Sequence, residues 1–101
     1  PYPVEINDSP MVVHRKHSAR EFCDMIVDQF DEMTEQSAKH PLVCNVSIHP
    51  YVFGQPFRLR PLRLALKHCV EHKQRERVWW TRPGEVAEFC YSLPPGVVPG
   101  S

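Results

Sequence analysis

Leu42-Val43-Cys44-Asn45-Val46-Ser47-Ile48-His49 is the stretch on which the fold turns. Side chains alternate faces along an extended chain. Leu42, Cys44, Val46 and Ile48 then share one apolar face, and Val43, Asn45, Ser47 and His49 share a mostly polar one. In a parallel α/β protein the apolar face seats against helices and the polar face looks into a barrel interior or crevice. His49 falls at the C-terminal end of the run, where parallel α/β folds assemble their active sites.

Two further apolar runs flank this one, Tyr2 to Asn7 and Val78 to Thr81. Three helical patterns lie between and after them. In the first, Ser18 and Glu21 have the S-x-x-E spacing of a capping box. Phe22, Met25, Ile26, Phe30 and Met33 follow at three- and four-residue steps. This helix is expected to stop before His40-Pro41, because proline disfavours helical geometry in the residue before it. The second helix is expected from about Arg60 to Lys73, with Pro61 in its first turn and Leu62, Leu66, Cys69 and Val70 on its apolar face. The third starts near Pro83, buries Val86, Phe89, Cys90 and Leu93, and is stopped by Pro94-Pro95. The resulting β-α-β-α-β-α order has no hairpin signal and predicts parallel strands. Residues 1–93 read as one domain segment and residues 94–101 as an extended Pro/Gly-rich tail. Three strands with two open edges suit a piece of a larger barrel, or an oligomer that completes one.

His49 is the first candidate for catalysis, since imidazole exchanges protons most readily near neutral pH. Asp8, closing Glu5-Ile6-Asn7-Asp8 at a second strand end, is the next. A carboxylate there can hold His49 in one tautomer and stabilise its imidazolium. The competing reading of Asn7-Asp8 is a turn before Ser9-Pro10.

The loop that follows carries a resemblance. His49-Pro50-Tyr51-Val52-Phe53-Gly54-Gln55-Pro56-Phe57-Arg58 resembles the H-P-Y-x-x-G-Q-P-x-R signature of the allantoinase-like branch of the polysaccharide deacetylase (NodB-homology) family. Pro1-Tyr2-Pro3-Val4-Glu5-Ile6-Asn7-Asp8, Val27-Asp28-Gln29-Phe30-Asp31, Val78-Trp79-Trp80-Thr81-Arg82-Pro83-Gly84-Glu85 and Leu93-Pro94-Pro95-Gly96 are similar to segments of the same group. The resemblance implies the C-terminal segment of an incomplete, distorted (β/α) barrel. It implies a hydrolase of non-peptide C–N bonds, acting on an N-acetyl amino sugar or a cyclic amide. It places His49 as the general acid, Ile48 near the acyl pocket, and Asn7 and Asp8 in support. Beside the resemblance, Tyr51, Phe53, Gln55 and Phe57 are candidates for a lid over the site, with Tyr51, Phe53, Gln55 and Arg58 binding substrate; the competing reading is simple loop packing. The family often uses a divalent metal such as zinc, held by an Asp pair and an H-x-x-x-H motif that belong upstream. Neither occurs in that context here. His68-Cys69-Val70-Glu71-His72 has the H-x-x-x-H spacing but reads as surface histidines on the second helix, so no metal ligand is assigned. The fragment alone is expected to be inactive.

Composition narrows the alternatives. Lys plus Arg and Asp plus Glu both number 12, which disfavours nucleic acid as a partner. No apolar run approaches the ~20 residues that span a bilayer. The chain opens on Pro1 without a Met and without a signal-peptide pattern, and reads as a segment of a longer product. Cys23, Cys44, Cys69 and Cys90 include no C-x-x-C and suit free thiols in a reducing cytoplasm. The expected partners are a small amide or amino-sugar substrate and further copies of the chain. The competing hypothesis is a truncated, non-catalytic protein that oligomerises as a structural or binding module.

Overall fold

The computed structural model describes residues 2–101. Its elements are a π-helical turn at Ser9–His14, helix α1 (Ala19–Gln36), a single turn α2 (Pro50–Phe53), α3 (Pro56–Val70), a 3₁₀ turn at Arg75–Arg77 and α4 (Pro83–Ser92).

Helix α1 begins where its local chemistry dictates. The Ser18 side chain accepts from the Glu21 backbone N–H at 3.1 Å, and Glu21 accepts from the Ser18 backbone N–H at 2.8 Å. The Ser18 N–H, followed by the Ser18 hydroxyl, holds the Glu21 carboxyl below its ordinary pKa. Phe22, Cys23, Ile26, Phe30 and Thr34 form the buried stripe of α1. They meet Pro61, Leu62, Ala65 and Cys69 of α3. Val52 and Phe53 of α2 and Met11 and Val12 of the π-turn complete the core. The Phe22 and Phe53 rings lie 5.4 Å apart. Burying side chains of this size stabilises a fold by about 1.5–3 kcal/mol each.

The parallel-strand barrel segment expected from the sequence is not formed. The chain is 57% helix and 4% strand, with no sheet among the described residues. Of the three runs, the first two touch at one parallel bridge, Asn7 to Ser47. There the Ser47 N–H donates to the Ile6 carbonyl (2.9 Å) and the Asp8 N–H donates to the Ser47 carbonyl (3.1 Å). Ladder growth fails because neither run has a second neighbour to cover it. Leu42, Val43 and Ile48 are all exposed, so both faces of the middle run are open. The third run, 78–81, is coil. Alternation records what a chain could bury, and only a partner makes it a strand.

The helix boundaries also move. α3 begins at Pro56 rather than Arg60 and carries Pro61 inside it; Leu66 and Val70 face outward. α4 starts at Pro83 as expected, but none of its residues is buried. Trp79 and Trp80 are both exposed, the first edge-on to Phe89 and the second stacked on Phe30. In the tail, Pro95 and Val98 make a tight bridge, with Gly96 and Gly100 at positive φ.

The molecule is therefore open. Its radius of gyration is 15.2 Å, against about 13 Å for a compact chain of this length. It exposes 7604 Å² for a mass of 11.8 kDa, where size scaling gives about 5,900 Å². No helix is long and apolar enough to cross a membrane.

The packing separates the four free cysteines. Cys23 and Cys69 are buried, and that burial pushes both thiols up to about 11. Cys44 is exposed, with desolvation raising its thiol as well. Cys90 is half-buried, so access rather than acidity sets these two apart. Thiolate is the reactive form. Alkylation of the native protein should therefore modify Cys44 and Cys90 first, and Cys23 and Cys69 only on unfolding. Peptide mapping by mass spectrometry checks this, and early labelling of Cys23 or Cys69 would refute the α1–α3 seam.

Candidate functional site

The single parallel bridge brings Asp8 and His49 together. Asp8 caps the π-turn by position, yet its carboxylate makes no bond to that turn. It is fully buried and turns to His49 instead. One oxygen, Oδ2, accepts the His49 backbone N–H at 2.7 Å. The other, Oδ1, lies 2.6 Å from the ring Nδ1. A buried carboxylate needs such donors, because an unpaired charge away from water is costly. An ionised carboxylate only accepts, so the proton between the two sits on Nδ1. That leaves Nε2 as the atom offered to a ligand, on a ring that is about one-third exposed (34%).

Local sequence positions the ring. His49 is extended (φ −119°, ψ 136°), as a residue before proline should be. Its carbonyl then accepts from Val52 and Phe53, closing α2 immediately behind it. Gly54 ends that turn. A Cβ there would collide with the Pro50 carbonyl oxygen, so the close approach itself requires glycine.

The remaining sequence candidates divide. Tyr51 is exposed, with its ring centroid 5.6 Å from that of His49, and belongs to the site. Asn7 is buried at the bridge. Its side-chain amide donates to the Pro3 carbonyl (3.1 Å) and its oxygen accepts the Ser9 N–H (3.2 Å), so it shapes the turn that presents Asp8. Phe53 is a core residue against Phe22 and is not part of a lid. Gln55 caps α3 by position and its side chain makes no capping bond. Arg58 donates to the Val52 carbonyl (3.2 Å) and lies over the Phe57 ring (4.8 Å). Arg58 and Phe57 line a cleft of about 450 Å³ with Val12, His17, Arg20 and Pro61, and His49 is not among its walls. Ile48, expected at the acyl pocket, is exposed.

Sequence reasoning missed Tyr2. Hydrogen bonds from the Ser47 and Asn7 side chains, Ser47 foremost, hold its phenol below the ordinary tyrosine pKa. Only the pairing of residues 7 and 47 places these groups side by side, and no local pattern announces it.

No family model, curated protein or solved structure matches the chain. The polysaccharide deacetylase resemblance therefore rests on the motif residues alone.

The two-oxygen contact makes a chemical prediction. In Asp8→Asn one oxygen must serve either the His49 N–H or the ring, and the amide NH₂ faces the other. Keeping the backbone bond forces the ring proton from Nδ1 to Nε2. Imidazole ¹⁵N shifts should report the Nδ1–H tautomer in the parent and Nε2–H in the variant. An Nε2–H tautomer in the parent would overturn the geometry.

Proposed function

We propose that this chain contributes the general-acid side of a hydrolase acting on non-peptide C–N bonds, of the polysaccharide deacetylase and allantoinase-like kind. The observation that carries this reading is the fully buried Asp8 carboxylate bonded to the ring and backbone of His49. The H-P-Y-x-x-G-Q-P string around it supports the reading.

In this mechanism water adds to the carbonyl carbon of an N-acetyl amino sugar or a cyclic amide. The C–N bond then breaks. The imidazolium of His49 gives its Nε2 proton to the departing nitrogen, leaving a neutral ring with its proton on Nδ1. Asp8 fixes that tautomer and offsets the ring's positive charge. Tyr51 borders the position the substrate takes. General-acid help of this kind contributes about 100- to 10,000-fold in rate.

The zinc that the resemblance implies does not fit around His49. Asp8 already spends both oxygens on His49, and the family's Asp pair and H-x-x-x-H are absent from this context. No step is therefore derived through a metal, and the base that takes the water's proton is assigned outside these residues. Four free thiols support a reducing, cytoplasmic location.

In the active protein, His49→Ala should lower kcat by about 100-fold or more, with the far-ultraviolet circular dichroism unchanged. Turnover measured on N-acetylglucosamine oligomers and on allantoin checks this. Undiminished kcat in a folded His49→Ala protein would remove the imidazole from the mechanism.

A second reading has its own support. The surplus of about 1,700 Å² over a compact monomer is about twice the ~800 Å² that each partner buries in a standard protein interface. Leu42, Val43, Ile48, Trp79, Trp80 and Phe89 are among the exposed apolar groups. This favours self-association, whether the assembly is catalytic or a binding module. Sedimentation of the isolated chain should give a dimer or larger species that dissociates on dilution. A monodisperse monomer at high concentration argues against it.

A further inference from the structure

A second histidine cluster lies far from His49. Asp31 comes from α1, His68 from the last turn of α3, and His72 follows just after it. His68 is twelve residues beyond Pro56, about 18 Å along the helix from the end that adjoins α2. The cluster is therefore separate from the Asp8–His49 pair and independent of the hydrolase reading.

The three side chains converge on one point. Asp31 Oδ1 lies 2.7 Å from His68 Nε2 and 3.2 Å from His72 Nε2. All three ligand atoms lie within 4.8 Å of one another. Tetrahedral zinc with bonds of about 2.0–2.1 Å holds its ligands about 3.3 Å apart. The His72 contact has that length already, and the His68 contact must open by only a few tenths of an ångström. Two imidazoles and a carboxylate suit a borderline divalent cation of the zinc class, whereas calcium and magnesium prefer oxygen ligands throughout.

The surroundings are partly rigid. His72 is mostly covered, edge-on to Phe30 at 5.5 Å, and Phe30 in turn stacks on Trp80. His68 and Asp31 are open to solvent at the rim. The geometry points to a divalent transition-metal site formed by Asp31, His68 and His72, with an open fourth position, clamping α1 to the end of α3.

One contact must change on binding. His72 Nδ1 accepts the Gln74 N–H at 3.0 Å, so its ring proton now lies on Nε2, towards Asp31. Metal bound at Nε2 moves that proton to Nδ1, where it opposes the Gln74 N–H. The turn at residues 73–74 therefore shifts as the cation enters. This ties the site to a local movement and weakens its affinity relative to a preformed one.

The test is titration of the full chain with Co²⁺ and Zn²⁺ by calorimetry, with the visible absorption of bound Co²⁺ recorded. The expected result is one cation per chain, d–d bands without thiolate charge transfer, and a displaced Gln74 amide resonance on binding Zn²⁺. His68→Ala and Asp31→Asn, both at exposed positions, should each lower affinity at least about 100-fold. His49→Ala should bind as the parent does, which separates this site from the proposed catalytic one. Absence of binding, thiolate bands, or unchanged affinity in either rim variant would overturn the assignment.

Discussion

The buried carboxylate of Asp8 is the constraint around which the N-terminal third is organised. A charge removed from water must be met by donors, and here both come from His49. The bond spans 41 residues of chain. It holds the π-turn against α2, and the π-turn's Met11 and Val12 join α2's Val52 and Phe53 in the core shared with α1 and α3. A π-turn is uncommon and is often found at functional sites. In this chain it directly follows the residue that orients the imidazole.

The fold was readable where its causes are local. Ser18 and Glu21 lie three residues apart, and their reciprocal bonds form without help from the rest of the chain. The same holds for the start of α4 at Pro83. The strands were not readable, because a strand is a relation between segments. Leu42–Ile48 alternates well, yet finds one bridge where a sheet needs neighbours on both sides. The α3 face was misjudged for a related reason. Leu62 and Cys69 meet α1 as expected, but the contact is centred on the Ala65 side of that stripe, which leaves Leu66 and Val70 on its outer flank.

The site divides along the same line. Asp8 and His49 could be found because each ends an apolar run, and the bridge between residues 7 and 47 makes them neighbours. Phe53 looked like a loop aromatic free to cover substrate. Its partner, Phe22, lies on another element, and no spacing rule connects the two. His68 and His72 read as surface histidines on the second expected helix, and no spacing ties Asp31 of α1 to them. The packing of one helix on the other makes them a cluster.

The long span between Asp8 and His49 bears on how the molecule assembles. Closing a loop of that length costs about 1.2 kcal/mol more than closing a ten-residue one. Helical turns, by contrast, form from adjacent residues within a microsecond or so. The helices can thus exist before the Asp8–His49 pair does, and the pair can part while they persist. The Asp8–His49 contact is then the late-forming and early-yielding part of the molecule.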